Sequence, residues 1–200
     1  MRHKGVNKEE TRQKMREAVG RGFRGHGYAG IGVDGLAKTA GVTSGAFYAQ
    51  FGSKSEAFDV ALADGLNEVI EAIPQYQADY GRDWLMAFVD YYLGSAHVKN
   101  LDCGCAMAAL TTEVVRAGPI VQAAFEEKME RIADLVANGL SGNSEEDRRA
   151  RAWAVLGILI GGVNVTRAMG TTKIADEIAK SIKTAAVSVA GVTRDARAGE

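Results

Sequence analysis

Between Thr43 and Lys54 the chain reads Thr-Ser-Gly-Ala-Phe-Tyr-Ala-Gln-Phe-Gly-Ser-Lys. This short stretch carries hydroxyls, an amide and an ammonium, the groups that hydrogen-bond phosphate oxygens and base edges. Thr43, Ser44, Gly45 and Ala46 are small and permit close approach to a large partner. Phe47 and Phe51 stand at i and i+4 and are expected to face a core. Tyr48 then lies on the opposite side, where its hydroxyl can reach a phosphate. Ala49 and Gln50 share that outer side, and Lys54 opens the following helix. There its ammonium and the free backbone N–H groups can both meet phosphate.

Other groups with chemical potential fit their surroundings less well. Gly25-His26-Gly27-Tyr28-Ala29-Gly30 matches G-x-G-x-x-G, but a dinucleotide site needs a strand before it and a helix opening on it. Here a helix precedes it, so the match is read as chance. His3, His26 and His97 are far apart, and none pairs with a carboxylate at helical spacing. Cys103 and Cys105 lack a second pair of ligands, so no metal and no cofactor is expected. Asn164-Val165-Thr166 is a sequon placed mid-helix and is set aside. Gly-x-Ser-x-Gly, His-Glu-x-x-His and the P-loop pattern are absent, and an enzyme is not expected. A hydrolase built on Cys105 and His97 would leave the charge distribution described next unexplained.

The elements that position these residues are helical. Met15, Ala18, Val19, Gly22 and Phe23 paint one face of a helix over about 8–25, and Gly25-His26-Gly27 ends it. Two short helices follow, at 34–40 and 44–51, with Gly41 between them and Thr43 or Ser44 as cap. Ser53 caps a long helix starting at Lys54, with Glu56 at the third position completing a capping box. Pro74 is expected to stop it. Five more helices are placed at about 82–96, 105–116, 118–139, 144–168 and 172–190. Ser141-Gly142-Asn143-Ser144 forms a polar loop, and the tail beyond Gly191 is expected to fray.

Composition supports a folded protein with one basic end. Apolar residues make up 46% of 200, enough for a core. Residues 1–54 hold ten Lys and Arg against four acids, a net of +6, whereas 55–200 carry 14 against 21, a net of −7. A basic head on an acidic body points to a polyanion at the head alone. The N-terminus lacks a signal-peptide pattern, and the longest apolar run, Trp153 to Val165, spans 13 residues, too short for a bilayer. With two cysteines at i and i+2, no disulfide framework forms. A cytoplasmic protein without membrane contact is expected.

Short helix, Gly turn, short helix is a helix-turn-helix, whose second helix enters the major groove. At this point the stretch Val33 to Lys54 resembles the DNA-binding signature of the TetR family. It has Leu36-Ala37, Ala40-Gly41-Val42, Gly45-x-Phe47-Tyr48-x-x-Phe51 and Ser53-Lys54. Phe23 and Gly27-Tyr28 also fit. The sequence departs from the family at Ile31 and Gly32, where Thr or Ser is common. It departs again at Ser44, where Lys is frequent, and at Gln50, where His is. These differences bear on the operator sequence. The resemblance implies an all-α, TetR-like fold of about nine helices. Residues 1–54 would form a three-helix DNA-binding domain and 55–200 a ligand-binding and dimerisation domain. The expected function is a transcriptional regulator, a repressor released by an inducer. It implies a palindromic double-stranded operator, with Ser44, Gly45, Ala46, Ala49 and Gln50 nearest bases and Thr43, Tyr48 and Lys54 on phosphates.

The last two helices are expected to pair with their copies in a homodimer. Ala150, Ala154, Gly157 and Gly161 permit close helix approach, and Ile174, Ile178, Ile182, Ala185 and Val189 mark the apolar face of the second helix. The family resemblance further implies a small-molecule inducer between the middle helices. Candidate lining residues are Trp84, Phe88, Tyr91, Tyr92, Met107, Leu110 and Thr111. Cys105 stands at the start of a helix, where free N–H groups favour a thiolate. Some relatives carry a Gly-Cys pair there that senses oxidants or electrophiles. The same residue also suits a core as a small apolar filler, and Asp102 opposes ionisation. Both readings stand at this point.

Overall fold

A computed structural model describes residues 3–142 and 144–191, so Asn143 and the tail beyond Gly191 lie outside the described residues. The elements are α1 (His3–Gly30), α2 (Val33–Thr39), α3 (Ser44–Phe51), α4 (Lys54–Tyr80), a 3-10 turn (Gly81–Asp83), α5 (Trp84–Tyr92), α6 (Ser95–Lys99), α7 (Ala106–Arg116), α8 (Pro119–Gly139), α9 (Glu145–Arg167) and α10 (Thr172–Val189). No strand occurs among the described residues. The all-α expectation holds. The helix expected at 82–96 is divided, because the chain turns at Leu93-Gly94 between α5 and α6.

Two further boundaries differ from those read in the sequence. α1 does not stop at the Gly25-His26-Gly27 triplet. It kinks at Gly27 (φ 71, ψ 172) and runs on to Gly30. α4 does not stop at Pro74 but continues to Tyr80 with the proline inside. Pro74 is on the exposed side of the helix. There the Ile70 carbonyl, deprived of its partner, can meet water. Packing secures both flanks: Ile73 is fully buried, and the Gln77 amide donates to the Leu135 carbonyl at 2.8 Å.

The chain forms two compact units, with boundaries inside α4 and α8. The first comprises residues up to Glu68 together with Asn100–Lys128. Its core holds Val19, Phe23, Leu36, Phe47, Phe58, Leu62, Leu66, Met107 and Leu110. The amphipathic spacing of α1 delivers Met15, Ala18, Val19 and Phe23 to that core, as its periodicity requires. α1 packs on both α2 and α7. Arg24 strengthens the second contact, its Nε donating to the Asp102 carbonyl at 2.9 Å.

The second unit comprises Val69–Lys99 and the chain from Met129 onward. α9 and α10 pack along each other. The Trp84 indole N–H donates to the Gly139 carbonyl at 3.0 Å, satisfying its polar atom inside the core. Arg151 closes the unit's far end, donating to the Ala190 carbonyl at 2.7 Å and the Ser141 carbonyl at 2.6 Å.

Candidate nucleic-acid interface

The helix-turn-helix lies within the first unit. α2 ends at a turn in which Gly41 takes φ +69, and the Val42 N–H returns to the Ala37 carbonyl at 2.9 Å. A positive φ is cheap only for glycine, so this residue lets α3 leave α2 sharply. Thr43 then caps α3: its backbone is extended, and its hydroxyl oxygen accepts from the Ala46 N–H at 3.2 Å. α3 closes at Gly52 (φ 77), whose N–H bonds the Tyr48 carbonyl at 2.8 Å. Ser53 caps α4 by accepting from the Glu56 N–H at 3.1 Å. The Glu56 carboxylate lies over Gly52, where a Cβ would fall 2.3 Å from its Oε2.

Within this frame α3 sorts its side chains by face. Phe47 and Phe51 are buried with their rings 4.9 Å apart. Tyr48 is 52% exposed. Gly45 and Ala49 are exposed beside it, and Ala46 and Gln50 are half-buried. The outer face is therefore narrow and small-sided, with one aromatic hydroxyl standing proud.

Several polar groups are already engaged. The Ser44 hydroxyl donates to Asp34 Oδ1 at 2.6 Å, fixing the first turn of α3 to α2. Ser44 can therefore offer a base only its lone pairs while that bond lasts. No local sequence pattern signals Asp34, which is ten residues away. Lys54 holds its ammonium 4.5 Å from the centre of the Tyr28 ring. The Gly27 kink turns Tyr28 toward the start of α4, where its ring meets Phe58 edge-on at 5.3 Å. Lys54 is thus positioned by a cation–π contact rather than left to wander.

The basic head is smaller than its formal charge. Arg16 pairs with Asp64, its Nε donating to Oδ2 at 2.8 Å, and that hydrogen bond raises the guanidinium pKa above its ordinary value. Arg24 is turned inward, its Nε donating to the Asp102 carbonyl and its Nη1 standing 4.0 Å from the Glu68 carboxylate. Lys8, Arg12, Lys14 and Lys38 are exposed in the same unit, and Lys54 is half-buried.

The other residues singled out in the sequence fall in both units. Trp84, Phe88 and Tyr92 are buried in the second, and Tyr91 is exposed there. They join an aromatic group the sequence did not reveal. Tyr76 meets Phe88 edge-on at 5.5 Å, and Tyr92 meets the buried His97 at 4.9 Å. Burial, with Tyr91 and Tyr80 nearby, raises the Tyr76 pKa. Arg167 donates to the His97 carbonyl at 2.9 Å. Met107 and Leu110 are buried in the first unit and Thr111 half-buried, its hydroxyl donating to the Met107 carbonyl. A cleft beside Leu62 and Val121 and another beside Tyr28 and Glu113 in the first unit, and one between α5 and α10 in the second, are lined by other residues. Cys105 is the N-cap of α7 and 8% exposed, and Cys103 is exposed two residues earlier.

Residues 21–60 match the sequence model of a family described as bacterial regulatory proteins, tetR family. No curated protein matches the chain. Solved structures do. A TetR-family regulator from Cytophaga hutchinsonii superposes with a TM-score of 0.74 at 17% identity, over 92% of this chain and 96% of that one. The reduced form of NemR from E. coli gives 0.70 at 19%, over 87% and 96%. FadR from Bacillus subtilis, in complex with stearoyl-CoA, gives 0.60 at 13%, over 86% and 97%. At these identities the likeness is one of fold, and it extends along nearly the whole of each.

Proposed function

We propose that this chain, which carries the tetR-family DNA-binding domain and the fold of that family's regulators, is a homodimeric repressor released from a palindromic operator by an inducer. The observation that carries the DNA-binding part is the outer face of α3. Exposed Tyr48 stands among small residues, and Lys54 is held at the head of the next helix. Ser44, Gly45, Ala46, Ala49 and Gln50 read base edges, and Thr43, Tyr48 and Lys54 contact phosphate. Residues 1–54 act as the reader and 55–200 as the sensing and pairing part. Selection from a random DNA pool tests this reading. An inverted repeat whose half-sites are separated by about one helical turn supports it. Enrichment of no sequence contradicts it.

Pairing through α9 and α10 is supported by what those helices leave uncovered. Trp153, Val165 and Ile174 are 39%, 49% and 42% exposed. Gly157 and Gly161 are exposed, and a Cβ on either would meet nothing within 4 Å. A stripe of large apolar and very small residues on one protomer suits a second copy brought into close helix contact.

The inducer is proposed to be a small molecule received by Trp84, Phe88, Tyr91 and Tyr92 of α5. The FadR structure shows a regulator of this fold with an organic ligand bound. A covalent signal is the second reading, favoured by Cys105 at the N-cap of α7 with exposed Cys103 beside it. Hydrogen peroxide would oxidise the Cys105 thiolate to a sulfenic acid, its other oxygen leaving as hydroxide. Operator release by peroxide in the wild type but not in Cys105→Ser would support the thiol reading. Equal release by both, or none by either, would leave the reversible ligand.

A further inference from the structure

Outside the reading head and the aromatic face of α5, the second unit holds a cleft of about 410 Å³ between α5 and α10. That lies in the range of small-molecule sites, about 300–1,000 Å³. Its composition is specific. Val89 and Val187 supply an apolar floor, and Lys180, Lys183 and Thr184 line one side. On α10 these residues stand at i, i+3, i+4 and i+7, so one face of the helix builds the wall. α5 contributes Asp90, which pairs with Lys183 at 2.8 Å.

The charge count decides what such a cleft can take. The charged groups facing it are Lys180, Lys183 and Asp90, two cations against one anion. Asp90 is 61% exposed at its side chain, so its ion pair is screened and weak. A ligand carboxylate can displace it at little cost. The Thr184 hydroxyl already donates to the Lys180 carbonyl at 3.0 Å. The two ammoniums are therefore the charged donors available to an incoming acid, with the Ser188 hydroxyl further along the same wall.

We infer that this cleft is a second small-molecule site, one that takes an amphipathic monoanion such as a short fatty acid. The carboxylate replaces Asp90 at Lys183 with Lys180 beside it, and the alkyl chain lies on Val89 and Val187. Asp90 and Phe88 point to opposite faces of α5 at a spacing of two residues. The site is thus distinct from the aromatic residues proposed for the inducer, yet carried by the same helix.

Calorimetric titration of the DNA-free protein with sodium octanoate tests the inference, so its failure leaves the regulator reading untouched. Octanoate should bind a single site per chain. Lys180→Gln with Lys183→Gln should weaken it about tenfold, as loss of a charge-assisted contact implies. Asp90→Asn, which frees Lys183, should tighten it, and 1-octanol should bind at least about tenfold more weakly for the same reason. All three positions of change lie at the protein surface or rim, and unchanged melting by circular dichroism confirms each variant's fold. Absence of octanoate binding, equal binding by the double lysine variant, equal binding of octanol, or no gain in Asp90→Asn would each overturn the site.

Discussion

Phe47 and Tyr48 are chemical near-twins with opposite placements, one fully buried and the other 52% exposed. The difference between them is a single hydroxyl, and that hydroxyl is the group proposed to meet phosphate. Tyr48→Phe should therefore weaken DNA binding by about 1 kcal/mol on every sequence, leaving specificity and melting temperature unchanged. Binding isotherms on cognate and scrambled duplexes measure it, and a loss confined to the cognate duplex would instead make Tyr48 a base reader. Asp59 offers a separate test through pH. Its pKa is raised by burial and then by Glu56. The folded protein holds this proton more tightly than the unfolded chain. The stability it contributes is full below the ordinary aspartate pKa and lost as pH rises through the folded value. Asp59→Asn cannot ionise. Its melting temperature should exceed that of the wild type at neutral pH, by a small margin because Asp59 is exposed on one side. The margin should vanish on acidification below the ordinary aspartate range. A margin independent of pH would assign the effect to something other than this proton.

Among the elements, the turn between α2 and α3 is the most sharply determined. Gly41 sits at φ +69, and a Cβ there would touch nothing within 4 Å. Any cost of Gly41→Ala is then conformational alone, about 1 kcal/mol of stability. Denaturant unfolding checks it, and a neutral substitution would mean the turn relaxes without penalty. This turn, the cap at Ser53, a cap at Thr43 or Ser44, and the burial of Phe47 and Phe51 were legible in the sequence, because each rests on contacts within a few residues; the structure selects Thr43. Helix ends governed by distant packing were not. Pro74 reads locally as a stop, yet α4 passes through it with Ile73 buried and Gln77 bonded to Leu135, 58 residues on. The same holds for charge. Arg16 and Arg24 counted toward the basic head, and only the fold shows them turned to Asp64 and Asp102. Of the candidate DNA contacts, Ser44 carried a partner, Asp34, that no spacing rule signals. The cleft beside Lys180 and Lys183 was also missed, although the i, i+3, i+4, i+7 spacing along α10 marks one face.

For the whole molecule, assembly and DNA binding are linked, since a palindrome needs two reading heads. Gly157 gives a clean separation of the two. A Cβ there meets nothing within 4 Å in its own protomer, so Gly157→Leu should leave the fold intact and wedge apart the paired helices. Sedimentation should show a monomer of about 21 kDa, the mass of one chain, with helical content preserved. A dimer in this variant would move the pairing surface elsewhere. The central claim is that α3 and the head of α4 grip DNA. Its most direct test is fluorescence anisotropy of the wild type and of Tyr48→Ala with Lys54→Ala on the duplex selected from the random pool, across a range of salt. Wild-type binding should be tight and fall steeply as salt rises. The double variant should be weakened by about tenfold or more, with a shallower salt dependence from the lost Lys54 contact. Equal affinity and equal salt dependence for the two proteins would contradict it.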